Sequence, residues 1–294
     1  MSSSYYKECR LCHRNCGVDR TVCVGYCRSS DVMHIARADL HFWEEPPISG
    51  ERGSGTVFFS GCSLSCIYCQ NRDISRGRVG KAVTVEQLSD IMLSLESRGA
   101  HNVNFVTPTH FIPSVAEAIS LARSRGFSIP VVYNTGSYES VGALRLLQGL
   151  VDVYLPDLKY YGSACASKLS LAADYPTVAR EAISEMVRQV GSPVFDSDGI
   201  MKRGVIVRIL LLPGHVAEAK LSLKYLLDTY GDSIYISLMN QYTPMEGMHS
   251  PLDRPVTREE YRQLLDYAER LGLKNGFTQE FGTAKESFIP PFEI

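Results

Sequence analysis

The chain has 294 residues, 45% of them hydrophobic and 21% charged, and a formal net charge of −2. That is the composition of one large globular domain with a substantial core, and its charge offers nucleic acid or an anionic membrane no default attraction. The apolar run near 206–212 is broken by Arg208 and far short of a membrane span. The first seven residues lack the apolar stretch of a secretory signal. Nine cysteines in such a chain point to metal ligation rather than disulfides, and to a reducing, anaerobic cytoplasm.

Residues 1–30 form a cysteine-rich leader with Cys9, Cys12, Cys16, Cys23 and Cys27. It is too small and polar to build a core of its own, so a metal or cluster is the expected staple. Four of the five cysteines could close a site, as zinc tetrathiolate or as an iron–sulfur cluster. Residues 31–55 read as a connector. The density of proline and glycine after Glu44 argues there against helix and central strand.

Residues 56–294 form the main domain. The apolar run 56–60 predicts a strand that leads into Gly61-Cys62-Ser63-Leu64-Ser65-Cys66-Ile67-Tyr68-Cys69-Gln70-Asn71. Three cysteines within eight residues supply three thiolates and no fourth. A structural zinc site wants four ligands, whereas a four-iron, four-sulfur (4Fe–4S) cluster held by three leaves one iron open.

Strands and helices then alternate. Helices are predicted over 85–98, with Thr84 as N-cap and Gly99 as stop, then over 115–125, 140–150, 217–230 and 256–271, and 164–190 reads as one long region passing from polar to helical. Strands are predicted over 102–106, 130–133, 151–155, 205–212 and 233–238. Six apolar strands separated by amphipathic helices give an α/β fold of parallel units, too few for a closed eight-stranded barrel and suited to a partial (β/α)6 barrel.

Reacting groups in such barrels cluster at the carboxyl ends of the strands. The ends present Thr107, Thr109 and His110; Asn134 and Thr135; Asp157 and Lys159; Arg208, an arginine inside an apolar strand that must be paired; and Met239, Gln241 and Tyr242. His110 reads either as a site residue or as a helix-start histidine, and His215 as a loop residue.

The cysteine loop resembles that of the radical S-adenosylmethionine (SAM) superfamily. Its continuation, Cys69-Gln70-Asn71-Arg72-Asp73-Ile74-Ser75, resembles the branch of glycyl-radical enzyme activases, and within it the pyruvate formate-lyase activating enzyme-like proteins. The resemblance implies a partial TIM-like barrel and a 4Fe–4S cluster on Cys62, Cys66 and Cys69, with SAM on the open iron. It places Tyr68 near adenine and the connector, Trp43 included, against the active site. Thr107, Asn134, Asp157, Lys159 and Arg208 become the cofactor-binding set. Two departures stand out: no Gly-Gly-Glu segment follows the second strand, and Asn134 stands where an acidic residue is common. The Gly25-Tyr26-Cys27 ending singles out Cys9, Cys12, Cys16 and Cys27 as the leader's metal or second-cluster ligands, with Cys23 as the spare.

The expected function is reductive cleavage of SAM to a 5′-deoxyadenosyl radical that takes hydrogen from a substrate. The expected partners are a flavodoxin- or ferredoxin-like electron donor and a glycyl-radical enzyme, with no nucleic acid and no membrane. Modification of a small molecule or peptide is the alternative, and a non-catalytic electron carrier or zinc scaffold is a further one.

Overall fold

The computed structural model describes residues 4–77 and 79–280. In chain order its elements are α1 (Ser4–Lys7), β1 (Met33–His41), α2 (Pro46–Ser49), β2 (Ser54–Phe59), α3 (Arg72–Ser75), β3 (Lys81–Val83), α4 (Val85–Ser97), β4 (Val103–Val106), α5 (Ile112–Ser124), β5 (Val131–Thr135), α6 (Val141–Leu144), β6 (Val153–Pro156), α7 (Ser163–Ser170), α8 (Tyr175–Val190), β7 (Val194–Phe195), β8 (Met201–Leu210), α9 (Val216–Tyr230), β9 (Tyr235–Met239), α10 (Arg258–Arg270) and β10 (Gly276–Thr278).

The six expected strands, β2, β4, β5, β6, β8 and β9, pair in parallel in that order. Short β10 extends the parallel run beside β9. At the other edge β1 runs antiparallel to β2, and β3 antiparallel to β1. The path from β10 to β3 does not return on itself, so this is a partial barrel.

Period-two alternation assigns each strand two faces. Outward residues such as Val131, Tyr133, Tyr154 and Val207 join the helices α4, α5, α8 and α9 in the main core. Inward residues Val132, Val153, Leu155, Met201 and Ile206 form a second, smaller core, completed by Ile48 of α2. The helix ends follow local rules. Thr84 and Thr257 each close a capping box, with Gln87 and Glu260 respectively.

Three expectations are corrected. The connector 31–55 contains strand β1, whose alternation is interrupted by a register shift between Ile35 and Arg37; such a bulge hides a strand from a period-two reading. Its proline-rich end does form a helical turn, α2, because both prolines occupy the first turn, where no backbone N–H is needed. The region 164–190 is two helices, α7 and α8, separated by Leu171 in the left-handed conformation.

The turn α2 occupies the inside of the barrel. Ile48 is fully buried against the inward core. Its carbonyl accepts from Asn102 Nδ2 at 2.7 Å, and Ser54 Oγ donates to Asn102 Oδ1 at 2.6 Å. The connector therefore plugs the barrel and carries Glu44 and Glu45 up into its interior.

Candidate active site

Strand β2 is buried along its whole length and delivers the cysteine loop to one end of the sheet. Gly61 makes the exit at φ 90°. A Cβ there would lie 2.2 Å from Ser29 Oγ and 2.7 Å from the Cys27 carbonyl, so only glycine passes. The Gly61 N–H donates to Ile74 O at 2.7 Å and the Cys62 N–H to Cys27 O at 3.3 Å. Ser170 Oγ lies 2.9 Å from Cys66 Sγ and 2.7 Å from the Tyr160 hydroxyl, which donates to Tyr68 at 2.8 Å. Burial first, then the neighbouring Cys66 sulfur, push the Cys62 thiol well above its ordinary value. Ligation must therefore displace a proton.

Cys62, Cys66 and Cys69 all reach the wall of one cavity of about 560 Å³, a size that takes a nucleotide-like ligand. The other six cysteines do not line it. Among the described residues no three His, Cys, Asp or Glu side chains surround a single ion. A four-iron cube makes a different demand, one thiolate on each of three irons with the fourth corner left over. Three thiols facing an open cavity fit that demand.

Why the remaining site residues meet here follows from the inward register. Two residues on from Val132, Leu155 and Ile206 come Asn134, Asp157 and Arg208, on the same face and nearer the carboxyl ends. The barrel interior thus changes from apolar to polar along its axis. Thr107, the first residue past β4, also lines the cavity. It sits at φ 58°, a costly conformation for a β-branched residue.

Lys159 Nζ lies 2.5 Å from Asp157 Oδ2. Burial pulls the Lys159 ammonium down, but Asp157 and Cys66 outweigh it and hold it well above the ordinary lysine value. Lys159 is therefore a fixed cation on the cavity wall.

Arg208 is 8% exposed. Its partners are acids rather than a site left for a ligand. Nε and Nη2 donate to the two Glu45 oxygens at 2.8 and 2.5 Å, and Nη2 also donates to Glu44. Asn104 and Asn134 complete the cluster by donating to Glu44 Oε1 at 3.0 and 3.4 Å. Burial pushes the Glu45 carboxyl up, and Arg208 more than reverses this, so it stays below the usual carboxylate range. The cavity lining holds Glu44, Glu45, Asp157 and Glu280 against Lys159 and Arg208, four acids to two cations, or −2.

Tyr68 is the one expected cofactor residue that does not line the cavity. It lies behind the loop, its ring edge-on to Tyr242 at 6.3 Å. Met239 and Gln241 do line the cavity, whereas Tyr242 is buried and donates to Leu252 O. His110 is a buried bracing residue within 2.7 Å of Ser60 O, and burial plus the nearby Arg20 lower its pKa to about 3. Glu44 and Glu45 were missed as site residues because their place depends on the plug. Glu139 was also missed. It is fully buried behind the cavity, accepts from Thr109, Thr135 and Tyr133, and nothing in its local pattern marks it.

The sequence model of the Radical SAM superfamily matches residues 56–219, from within the cluster strand β2 into α9. An uncharacterized protein of Methanocaldococcus jannaschii is 28% identical over 284 residues, covering 93% of this chain and 78% of that protein. Among solved structures, the FeFe-hydrogenase maturase HydG from Carboxydothermus hydrogenoformans superposes with a TM-score of 0.55 at 13% identity, over 80% of this chain and 56% of HydG. A radical SAM methyltransferase from Sphaerobacter thermophilus gives a TM-score of 0.52 at 16% identity, over 76% of this chain and 66% of that one. The chain thus spans just over half the length of HydG, and at such identities the likeness is one of fold. Among the described residues no helix is long and apolar enough to cross a membrane. The match runs through more than half of the 294 residues and takes in the loop with its three converging thiols, so the chain belongs to the Radical SAM superfamily, whose cofactors are a 4Fe–4S cluster and SAM.

Proposed function

We propose that this radical SAM enzyme acts on the main chain of a partner protein, as an activase of a glycyl-radical enzyme does, and that Cys62, Cys66 and Cys69 hold its cluster. When bound, the reduced cluster supplies one electron that splits SAM into methionine and an adenosyl radical able to take a hydrogen atom. The chain's own residues bind and orient. Lys159, fixed by Asp157, meets the carboxylate or ribose side of SAM. Thr107 and Asn134 line its flank with hydroxyl, amide and backbone groups. The surplus of carboxylates over cations in the lining favours a ligand that carries a sulfonium and an ammonium.

The observation that carries the partner reading is the rim. Phe42 and Trp43 line the cavity yet are 49% and 59% exposed. Large aromatics at the mouth of a pocket are the residues that anchor a partner chain. A small cationic metabolite is the second reading, favoured by the −2 balance of the lining. A flavodoxin- or ferredoxin-like protein is the proposed reductant.

The test is anaerobic reconstitution, reduction, and addition of SAM with candidate glycyl-radical enzymes. A protein-bound glycyl doublet by electron paramagnetic resonance supports the reading, and an altered metabolite without that doublet replaces it with the second. Cys66→Ala is expected to release no 5′-deoxyadenosine while its circular dichroism spectrum stays that of wild type. Retained cleavage sinks the ligand assignment.

A further inference from the structure

We propose that Ser170 raises the reduction potential of the cluster: its hydroxyl, oriented by Tyr160, donates to the sulfur of Cys66 and stabilises the reduced state. The proposal rests on Cys66 being a cluster ligand.

The geometry comes from the end of α7. Ser170 is its last residue, and Leu171 ends the helix in the left-handed conformation at φ 51°. That end is tied to the cysteine loop and to the leader. The Ile67 N–H donates to Leu169 O at 2.9 Å, a main-chain bond between the residues next to Cys66 and Ser170. Arg14 donates through Nη1 to Leu171 O at 2.7 Å, through Nη2 to Ser170 O at 3.4 Å and through Nε to Ser63 O at 2.8 Å. The spacing of 2.9 Å between Ser170 Oγ and Cys66 Sγ is thus set by the backbones of helix and loop.

Ser170 is fully buried and does not line the cavity, whereas Cys66 does. The hydroxyl approaches the sulfur from behind, on the side that a cluster seated in the cavity leaves free. Among the described residues it is the only side-chain donor within reach of the three loop sulfurs. The other donor is the Leu64 N–H, 3.4 Å from Cys62 Sγ.

Proton counting gives the direction. Cys66, Ser170 and Tyr160 form a chain with links of 2.9 and 2.7 Å, and either partner can donate across each. A sulfur bonded to iron has no proton, so the proton of the first link comes from Ser170. The proton of the second then comes from Tyr160, whose hydroxyl turns from Tyr68 to Ser170. Tyr160 is 1% exposed and Ser170 0%, so solvent does not compete for either hydroxyl, and each donor polarises the next.

The consequence is electrical. A reduced cluster carries one more negative charge than the oxidised one, so a donor on a ligand sulfur stabilises it more and raises its potential. The cavity lining acts the other way, because four acids against two cations disfavour an added electron. Ser170 offsets that field at the sulfur itself.

The test is a potentiometric titration of the full chain, reconstituted anaerobically without SAM and followed by the paramagnetic signal of the reduced cluster. Ser170→Ala is expected to lower the potential by about 59 mV, a tenfold fall in the reduced-to-oxidised ratio at fixed potential. Ser170→Thr keeps the hydroxyl and should stay near wild type. Tyr160→Phe keeps the donor but removes its orienting partner, so its shift should have the same sign and be smaller. Iron and sulfide at about four of each per chain, and an unchanged circular dichroism spectrum, show that a variant is loaded and folded. Equal potentials in wild type and loaded Ser170→Ala overturn the proposal, as does a fall in Ser170→Thr as large as in Ser170→Ala. If Ser170→Ala does not load, Tyr160→Phe decides, and an unchanged or raised potential overturns the proposal. A Cys66→Ala variant that keeps the full iron content removes the ligand assignment as well.

Discussion

Arg208→Met measures how far the fold depends on the charges inside its barrel. The side chain is 10% exposed and is shared by Glu45 and Glu44, themselves 5% and 9% exposed. Methionine keeps most of the volume but leaves two carboxylates facing each other without a cation. Breaking a buried pair from one side costs about 3–5 kcal/mol. At about 2.1 cal/mol/K per residue, a chain of this length loses roughly 5–8 °C of Tm. Glu45→Gln leaves Arg208 paired with Glu44 and should lose less, about 1.5–3 kcal/mol. Adding Glu44→Gln and Glu45→Gln to Arg208→Met removes the stranded charge and should recover much of the loss. Thermal melts of the cluster-free protein followed by circular dichroism provide the readout. Because Glu45 is held below its ordinary value, its contribution is present above the unfolded carboxylate pKa and is lost as pH falls through the folded one. The gap between wild type and Arg208→Met should therefore narrow in acid. A Tm for Arg208→Met within about 1 °C of wild type at neutral pH would refute the reasoning.

Lys159→Met should weaken SAM binding to the reconstituted enzyme about tenfold, the loss of one charge-assisted hydrogen bond, and calorimetry that finds an unchanged Kd removes Lys159 from the binding set. Gly61→Ala must place a methyl group 2.7 Å from the Cys27 carbonyl at φ 90°, so it should lower stability by about 2 kcal/mol or more; a neutral result means the loop exit is not rigid. His110, neutral when folded with its pKa lowered to about 3 by burial and then Arg20, contributes stability that is full above the unfolded histidine value and drains by about 1.4 kcal/mol per pH unit as pH falls below it. His110→Phe should flatten that part of the pH–stability curve, and an identical slope in the variant excludes His110 as its source.

The legible parts of this protein are those whose signal is local. Three thiols in eight residues state their chemistry without a fold. Asn134, Asp157 and Arg208 were found because a strand of known period ends beside each of them, and period two carries all three to the inward face. Glu44 and Glu45 could not be found that way. They enter the site because Ile48, four and three residues on, buries itself in the inward core and takes the turn with it. The trace in the sequence was there: one isoleucine among prolines, glycines and charges, with no other core to join. Tyr68 shows the opposite limit. Its spacing from the cysteines is as expected, but spacing does not say which way a loop residue points, and the hydroxyl partner Tyr160 turns it away from the cavity.

The plug ties the site's charge to the fold's stability. Below Arg208 the barrel interior is apolar, through Ile206, Leu155, Val132 and Ile48, so the carboxylates above it sit over a dry floor and are weakly screened. Their surplus over Arg208 and Lys159 is what would draw a sulfonium ligand, and the same carboxylates anchor the connector. A substitution that neutralises either glutamate must therefore loosen the plug while it makes the cavity less acidic. Cofactor affinity and stability should fall together, whereas a purely catalytic acid would lower activity and leave the melt untouched.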